Sequence, residues 1–312
     1  MRSRCSTLAV LAAGFWAAGR GYAESLTVPA SVTIVAATEI EAHRVAIEGI
    51  RTRLAKSSVE IRIVNLSAFR NVGSRADRLA APDTRAIIAI GTEALDLVSA
   101  ERPDVPVVST MVLRGNAGAK PRASRPAATI VLDVPFPALL ARLKQAFPGK
   151  TRLGIIWNTS RGGPPAAVLE ARAQQSGFTV RIVDCPAAEQ LLAAFLTLKG
   201  QVDFVWCLPD GALYNGATIR PLILASIENR LPLIGFSESF VRAGAAAGIY
   251  PDYRDIGLQT GEAAQQILSG QAVPASEGPR KLMFAVNQGV LRLLGLRYAP
   301  AATSEADFAV LQ

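Results

Sequence analysis

The sequence predicts an α/β fold of two Rossmann-like lobes, each a parallel sheet flanked by helices, and three observations support it. Short apolar runs that end in polar residues alternate with segments of helical periodicity along most of the 312 residues. Five such runs with helices between them form a first set before residue 134. The alternation then restarts near residue 135, and a chain of this length suits about two domains.

The first lobe is predicted from four short apolar runs, often β-branched, and from one segment, Glu60–Leu66, in which apolar and polar residues alternate as in a half-buried strand. The predicted strands are Val32–Ala36, Glu60–Leu66, Ala86–Ile90, Val105–Ser109 and Ala128–Leu132. A helix after the first strand buries Val45, Ile47, Ile50 and Leu54, and a weaker, charged helix covers Arg70–Ala80. Between Arg114 and Pro126 the chain is basic and rich in Gly and Pro, which predicts an exposed loop.

The second lobe repeats this plan without repeating the sequence. Its predicted strands are Leu153–Trp157, Thr179–Val183, Phe204–Leu208, Leu231–Ile234 and Leu282–Val286. Its predicted helices are Pro137–Phe147, Pro165–Ser176, Glu189–Leu198, one through Ile219, Ile223 and Ile227, and a short one that ends at Leu294. A further helix carries Ile256, Leu258 and Ile267 and ends at Gly270. Residues 298–312 are predicted to be a loose tail.

The N-terminus predicts a secretory signal peptide over residues 1–23. Arg2 and Arg4 precede the apolar stretch Leu8–Ala18, and small residues surround Ala23, where we expect cleavage. Cys5 lies before the apolar stretch, so we expect a periplasmic product that is not a lipoprotein. The alternative is a retained anchor helix, but its apolar part is short for a membrane span.

Charge and cysteine content exclude some function classes. Removal of the leader lowers the formal charge from +8 to +5, because three arginines and no acid are lost. The remaining basic residues are dispersed and no nucleic-acid motif accompanies them, so we predict no nucleic-acid binding. Cys185 and Cys207 follow strands that flank a third strand, about 10 Å apart by strand spacing, so two buried free thiols are predicted.

No residue pattern predicts catalysis, a cofactor or a metal. The single histidine, His43, lies in the first helix without a supporting motif, and we interpret it as structural. The segment Ala36–Glu39 after the first strand lacks the glycines of a phosphate-binding loop. We therefore predict a protein that is not an enzyme, binds no cofactor and has no metal site.

Polar residues do stand at the predicted carboxyl ends of the strands in both lobes, where α/β sheets bind ligands. The candidate ligand-binding residues are Thr38, Thr92 and Thr110 in the first lobe and Asn158, Asp210 and Ser237 in the second. Short hydroxyl, amide and carboxylate groups there could bond a small polar ligand, helped by the N–H groups of the next helices. The alternative is that Asp210 and Ser237 only cap those helices.

The second half resembles the substrate-binding proteins of ABC transporters that have the type I periplasmic-binding-protein fold. The resemblance covers most of the chain and rests on several segments taken together. They are Val202–Asp210, Leu231–Gly235, Ser237 with Phe240–Val241, Gly244–Ala245, Asp252–Tyr253, Ile256–Gly257, Gly270, Val286–Asn287, Leu294–Leu296 and, earlier, Ile90–Thr92, Pro106–Val108 and Asn158. It implies a ligand cleft between the lobes, with Thr92, Asn158, Asp210 and Ser237 facing it.

The same resemblance implies three chain crossings between the lobes. The first lobe would comprise residues 24–134 and about 251–278, and the second 135–250 and about 280–297. It implies a monomer that presents a small, polar, amino acid-like or carboxylate ligand to an ABC permease in the inner membrane. Arg114 and Arg161, if they face the cleft, would favour an anionic group.

Two segments depart from the family pattern and leave an alternative open. Leu113–Gly115 stands where the family usually has an Asp-Pro pair, and Leu132–Asp133 where it usually has a Thr-Gly step. Both would lie at the cleft of the first lobe. The alternative function is a periplasmic sensor or accessory module that docks on a membrane receptor and has no role in import.

Overall fold

The computed structural model describes residues 31–69, 79, 81–101, 104–115, 126–159, 165–299 and 308–311. These residues form two sheets flanked by helices, which confirms the predicted two-lobe α/β fold. The predicted leader over residues 1–23 lies outside the described residues, as do nearly all of the predicted helix Arg70–Ala80 and most of the predicted loop Arg114–Pro126.

The first sheet consists of the five strands predicted for this part of the chain. They are β1 Ser31–Ala36, β2 Glu60–Asn65, β3 Thr84–Ile90, β4 Val107–Val112 and β5 Ala128–Val131. Their order is β2-β1-β3-β4-β5, and every neighbouring pair is parallel. β1 and β4 are buried at every residue, as expected for parallel strands covered by helices on both faces. The edge strand β2 has no fully buried residue.

The second sheet is larger and mixed. Its strands are β6 Arg152–Trp157, β7 Thr179–Asp184, β8 Phe204–Cys207, β9 Leu233–Gly235, β10 Ala247–Pro251, β11 Leu282–Asn287 and β12 Phe308–Leu311. Their order is β12-β11-β10-β9-β8-β6-β7, and only the β10–β11 pair is antiparallel among the described strands. β11 and β12 therefore run against the other five.

Two parts of the second sheet differ from the sequence prediction. The small-residue segment Gly244–Gly248 was not expected to enter a strand, yet β10 begins at Ala247. A Cβ on Gly248 would lie 2.5 Å from Val241 Cγ2, so close packing explains the small residue there. The prediction of a loose tail over residues 298–312 is wrong for residues 308–311, because these residues form β12 beside β11.

Helices cover the sheets on both faces. They are α1 Glu41–Leu54, α2 Thr92–Glu101, α3 Phe136–Ala146, α4 Ala166–Gln175, α5 Leu191–Thr197, α6 Ile219–Glu228, α7 Glu238–Ala243, α8 Tyr253–Leu268 and α9 Gln288–Leu293. No helix among the described residues combines the length and apolar character that a membrane crossing requires.

α8 follows the strand β10 of the second sheet along the chain but packs against the first sheet. Its Ile256 and Ala264 are fully buried in one cluster with residues of β1 and β3. The segment after it runs beside β5, where Glu277 N donates to Thr129 O at 2.9 Å. The residue boundaries of the two lobes remain a prediction.

Glycines let α1 and α8 approach each other closely. A Cβ on Gly257 would lie 2.1 Å from the carbonyl oxygen of Ala46, and one on Gly49 would lie 2.2 Å from that of Arg254. Real Cβ atoms do not occur at such distances, and the opposing atoms belong to backbone that cannot rotate away. The backbones of the two helices are therefore in direct contact.

Both described cysteines are buried free thiols, as predicted. Cys185 follows β7 and Cys207 ends β8, and β6 lies between these two strands. Burial raises the pKa of the Cys207 thiol to about 12, partly offset by a hydrogen bond with Tyr214.

Candidate functional site

The carboxyl ends of β1, β2 and β3 lie along one edge of the first sheet, because the strands are parallel neighbours. Thr38 follows β1 and is half-buried. Its Oγ1 accepts a short hydrogen bond from Asn65 Nδ2 at the end of β2. The hydroxyl of Thr38 is thus held by a neighbouring strand end, and Asn65 joins it at this edge although sequence reasoning did not select it.

Thr92 is the first residue of α2 and follows a tight turn at Gly91. Gly91 has a φ of 87°, which favours glycine, and its N–H donates to Thr110 O at 2.9 Å. This bond ties the end of β3 to β4. Thr92 is therefore placed where β3 passes into a helix N-terminus, as the sequence predicts.

His43 packs over the end of β3. A Cβ on Gly91 would lie 3.2 Å from His43 Cε1, so a larger residue at 91 would crowd the imidazole. Burial lowers the pKa of His43, partly offset by a hydrogen bond to Ala37 and by the charge of Glu39. The side chain is therefore neutral at pH 7. Its Nδ1 is buried without a hydrogen-bond partner in the described part of the chain.

The predicted position of Thr110 at a strand tip is wrong. β4 continues to Val112, so Thr110 lies inside the strand and is fully buried. Its Oγ1 has no hydrogen-bond partner among the described residues. The strand continues through an irregular step in the pairing with β5, where Met111 has a φ of 57°, rare for a residue with a side chain.

A hydrogen bond joins Leu113–Gly115 and Leu132–Asp133, the two segments that depart from the family pattern. Arg114 N donates to Asp133 Oδ2 at 2.7 Å, linking the segments that follow β4 and β5. The Arg114 guanidinium donates from Nη1 to Ser276 Oγ at 3.2 Å. Arg161 lies outside the described residues. The expectation that both arginines meet a ligand therefore stays a prediction.

In the second lobe, Asn158 directly follows β6 and is buried, with 8% of its surface exposed. Its Nδ2 donates to Pro186 O at 3.0 Å. Beside it, Asp184 Oδ1 accepts from Thr159 N at 2.9 Å and from Thr159 Oγ1 at 2.8 Å. The backbone bond and then the hydroxyl bond lower the pKa of Asp184. A polar network thus joins the ends of β6 and β7.

The capping alternative is correct for Ser237 and wrong for Asp210, because the helix after Asp210 begins at Ile219 and its N-cap is Thr218. Asp210 Oδ1 accepts from Ala212 N at 2.9 Å. Ser237 is the N-cap of α7, and its Oγ accepts from Phe240 N at 3.2 Å. Both residues are half-buried at the ends of β8 and β9, so these local bonds leave part of each side chain accessible to solvent.

Two aromatic rings lie beside these polar groups and were not selected from the sequence. Trp157 is the last residue of β6, and Phe236 follows β9; both are half-buried. The Phe236 ring centroid lies 5.3 Å from that of Phe240 and 6.0 Å from that of Tyr214. An aromatic residue at a predicted strand end was the signal that could have identified them.

This edge of the second sheet therefore combines polar groups with apolar ring surface. Such a combination suits a small molecule that has both a charged and an apolar part. The described residues hold no group of three or more His, Cys, Asp or Glu side chains that could bind a metal ion.

Comparison with known proteins identifies a family. The family model described as "ABC transporter substrate binding protein" matches residues 31–308. A "Tyrosine-binding protein" of Clostridioides difficile (strain R20291) is 24% identical over 193 residues, which is 60% of this chain. The chain spans only about half of that relative, since the match covers 55% of its length.

Solved structures share the fold. A ligand-free, open substrate binding protein with adhesive properties from Clostridium difficile has a TM-score of 0.69 and 21% identity, with 91% of this chain and 99% of that chain covered. An ABC domain in complex with L-Trp from Streptococcus pneumonia has a TM-score of 0.63 and 18% identity, with 90% and 99% covered. The fold of both is the type I periplasmic-binding fold.

Proposed function

Because the chain belongs to the ABC transporter substrate-binding proteins, we propose that it captures a small amino acid-like molecule or other small carboxylate between its lobes. It presents this ligand, as a monomer and without transforming it, to an ABC permease in the inner membrane. Ligand binding shifts the population from open to closed forms, and the permease recognises the closed form.

The observation that carries this proposal is the polar lining at the strand ends of both sheets. An amino acid has a carboxylate and an ammonium group, and each has a suitable partner. Thr92 offers a hydroxyl at the N-terminus of α2, where backbone N–H groups favour an anion. Asp210 offers a half-buried carboxylate for the ammonium group. Thr38, Asn158 and Ser237 supply further polar contacts.

The apolar part of the ligand meets Trp157 and Phe236. Both rings are half-buried beside the polar groups of the second lobe, and ring faces pack well on aromatic side chains. One relative is named for tyrosine and one similar structure contains L-Trp. Aromatic amino acids are therefore the first ligands to test. Micromolar affinity requires about 8 kcal/mol of binding free energy, which a few charge-assisted bonds and one apolar contact supply.

Titration calorimetry on residues 24–312 tests the proposal. We expect saturable binding of L-tyrosine, L-tryptophan or L-phenylalanine, with weaker binding of L-leucine and none of ribose. The ligand recovered from the complex should have its original mass, because the site does not transform it. Absence of binding to all amino acids and small carboxylates would contradict the proposal.

Two variants and a matched control locate the site. Asp210→Asn keeps an oxygen that accepts from Ala212 N, so the turn remains while the negative charge is lost. We expect about 100-fold weaker binding, as for a lost charge pair. Thr92→Ala should weaken binding about tenfold. Thr52→Ala, on the exposed surface of α1, should bind normally. Equal affinity of all three variants would place the site elsewhere.

We place the protein in the periplasm, with the leader removed near Ala23. Expression of the full chain in a Gram-negative host, followed by osmotic release and mass measurement, tests this. The released product should begin at residue 24. A product that retains the leader and sediments with membranes would favour the anchor alternative.

A further inference from the structure

A cavity of about 630 Å³ lies at the other edge of the second sheet, away from the strand ends of the candidate site. It is lined by residues at the start of or before β6, β8 and β9 and by residues that follow α3, α5, α6 and α9. Its volume is within the range of pockets that bind small molecules, about 300–1,000 Å³. We call it the amino-edge pocket.

The lining of the amino-edge pocket is strongly basic. Five cationic side chains and one carboxylate contribute to it: Lys150, Arg152, Lys199, Arg230, Arg297 and Asp203. Among the described residues, no part of the candidate ligand site has a comparable excess of one charge. An anionic partner is therefore the chemistry that this pocket would attract.

Partners within the protein account for only part of this charge. Asp203 is paired with Arg152 Nη2 at 3.0 Å and with Lys150 Nζ at 3.6 Å. Lys199 Nζ donates to Asn229 Oδ1 at 2.9 Å. Arg230 and Arg297 form no ion pair or side-chain hydrogen bond with the residues that the structure describes. Two guanidinium groups therefore line the pocket with their donors available.

Cations near helix C-termini have an ordinary explanation, because they offset the partial negative charge of those ends. The backbone at Arg230 shows that this explanation is incomplete. Arg230 has a φ of 50°, a conformation that favours glycine and disfavours arginine. The turn is fixed, since Leu231 N donates to Ser226 O at 2.9 Å and Ser226 Oγ donates to Leu231 O at 2.8 Å. A costly residue at a fixed turn, facing a cavity, indicates a use for the side chain.

We propose that the amino-edge pocket binds a small phosphate-bearing anion. Planar guanidinium groups match the geometry of phosphoryl oxygens and bind them through paired hydrogen bonds. Arg230 and Arg297 make these bonds, and Lys199 adds a third cation. Asp203 holds Arg152 and Lys150 in place and does not contact the anion. This site is independent of the ligand cleft and of the transport function proposed above.

Titration calorimetry of the full chain with inorganic pyrophosphate in 50 mM salt tests this proposal. We expect saturable binding at one site that weakens in 200 mM salt, as electrostatic binding requires. Arg230→Gly removes the guanidinium and suits the local backbone, and Arg297→Gln removes the second charge. Each variant should weaken binding about tenfold, and the double variant about 100-fold.

Arg220→Gln is the matched control, because it removes an exposed arginine from the first turn of α6, at the far end of that helix from the pocket. It should bind pyrophosphate as the unchanged protein does, and all variants should keep their amino acid affinity. The proposal would be overturned if Arg220→Gln weakened pyrophosphate binding as much as Arg230→Gly does. It would also be overturned if the unchanged protein showed no saturable binding of pyrophosphate. Binding to phosphatidylglycerol vesicles through the same arginines, without binding of free pyrophosphate, would also overturn it in favour of a lipid headgroup.

Discussion

Replacement of Gly257 by alanine should destabilise the protein through a single methyl group. The added Cβ would lie 2.1 Å from Ala46 O and 2.9 Å from Gly49 Cα. Both atoms belong to the backbone of α1, so relief requires the two helices to move apart. Inserted methylene groups cost about 1–3 kcal/mol in a packed core. The upper end of that range applies here, because a contact of 2.1 Å with a backbone atom cannot be relieved by a side-chain movement. Alanine regains about 1 kcal/mol over glycine in a helix, so we expect a net loss of about 2 kcal/mol.

Gly289→Ala is the matched control, because Gly289 also lies in a helix, α9. Its nearest obstacle is Asn287 Oδ1 at 3.4 Å, an ordinary contact distance. Alanine there should leave stability unchanged or raise it by up to about 1 kcal/mol. Urea unfolding, followed by tryptophan fluorescence and circular dichroism, measures both variants under the same conditions. Our reasoning would be refuted if Gly257→Ala were as stable as Gly289→Ala.

Three further predictions concern buried polar groups. Burial raises the pKa of Asp203 and hydrogen bonds from Arg152 lower it, and the net result is a pKa below the ordinary 3.8. The stabilising effect of Asp203 is therefore complete above about pH 5, and it is lost as the pH falls through the lower folded-state pKa. Asp203→Asn should lower the free energy of unfolding by about 2 kcal/mol at pH 7, and the difference should shrink in urea titrations at pH 4 and 3. Asn287→Ala should cost about 2 kcal/mol, because its buried side chain accepts from Val290 N and donates to a carbonyl; a thermal melt like that of the unchanged protein would contradict this. Cys207, with its pKa raised to about 12, should resist iodoacetamide at pH 8 in the folded protein and react in urea, as followed by mass spectrometry.

The sequence was sufficient for the strands of the first lobe because both faces of that sheet are covered. A strand that is buried at every residue, such as Ser31–Ala36, is a short, nearly continuous apolar run in the sequence. A run of that length and composition indicates a buried parallel strand. β10 was missed because Gly248 must be small to pack against Val241, and small residues weaken the strand pattern. β12 was missed because a short edge strand is defined mainly by its partner, β11.

The candidate site was predicted less completely than the fold. Thr110 was misplaced because β4 continues through Met111 in a conformation that its sequence does not signal. Trp157 and Phe236 were not predicted, because the prediction rested on polar residues at strand ends and both of these residues are aromatic. The amino-edge pocket could not be predicted, since Arg230 and Arg297 are far apart in the sequence and line the same pocket only because of the packing of helix ends.

The position of β12 has a practical consequence. Phe308–Leu311 pairs with β11 and covers what would otherwise be an open row of backbone donors and acceptors along Phe284–Asn287. Uncovered strand edges recruit strands from other molecules. A truncation at residue 300 should therefore promote aggregation, and an affinity tag joined directly after β12 should disturb this pairing.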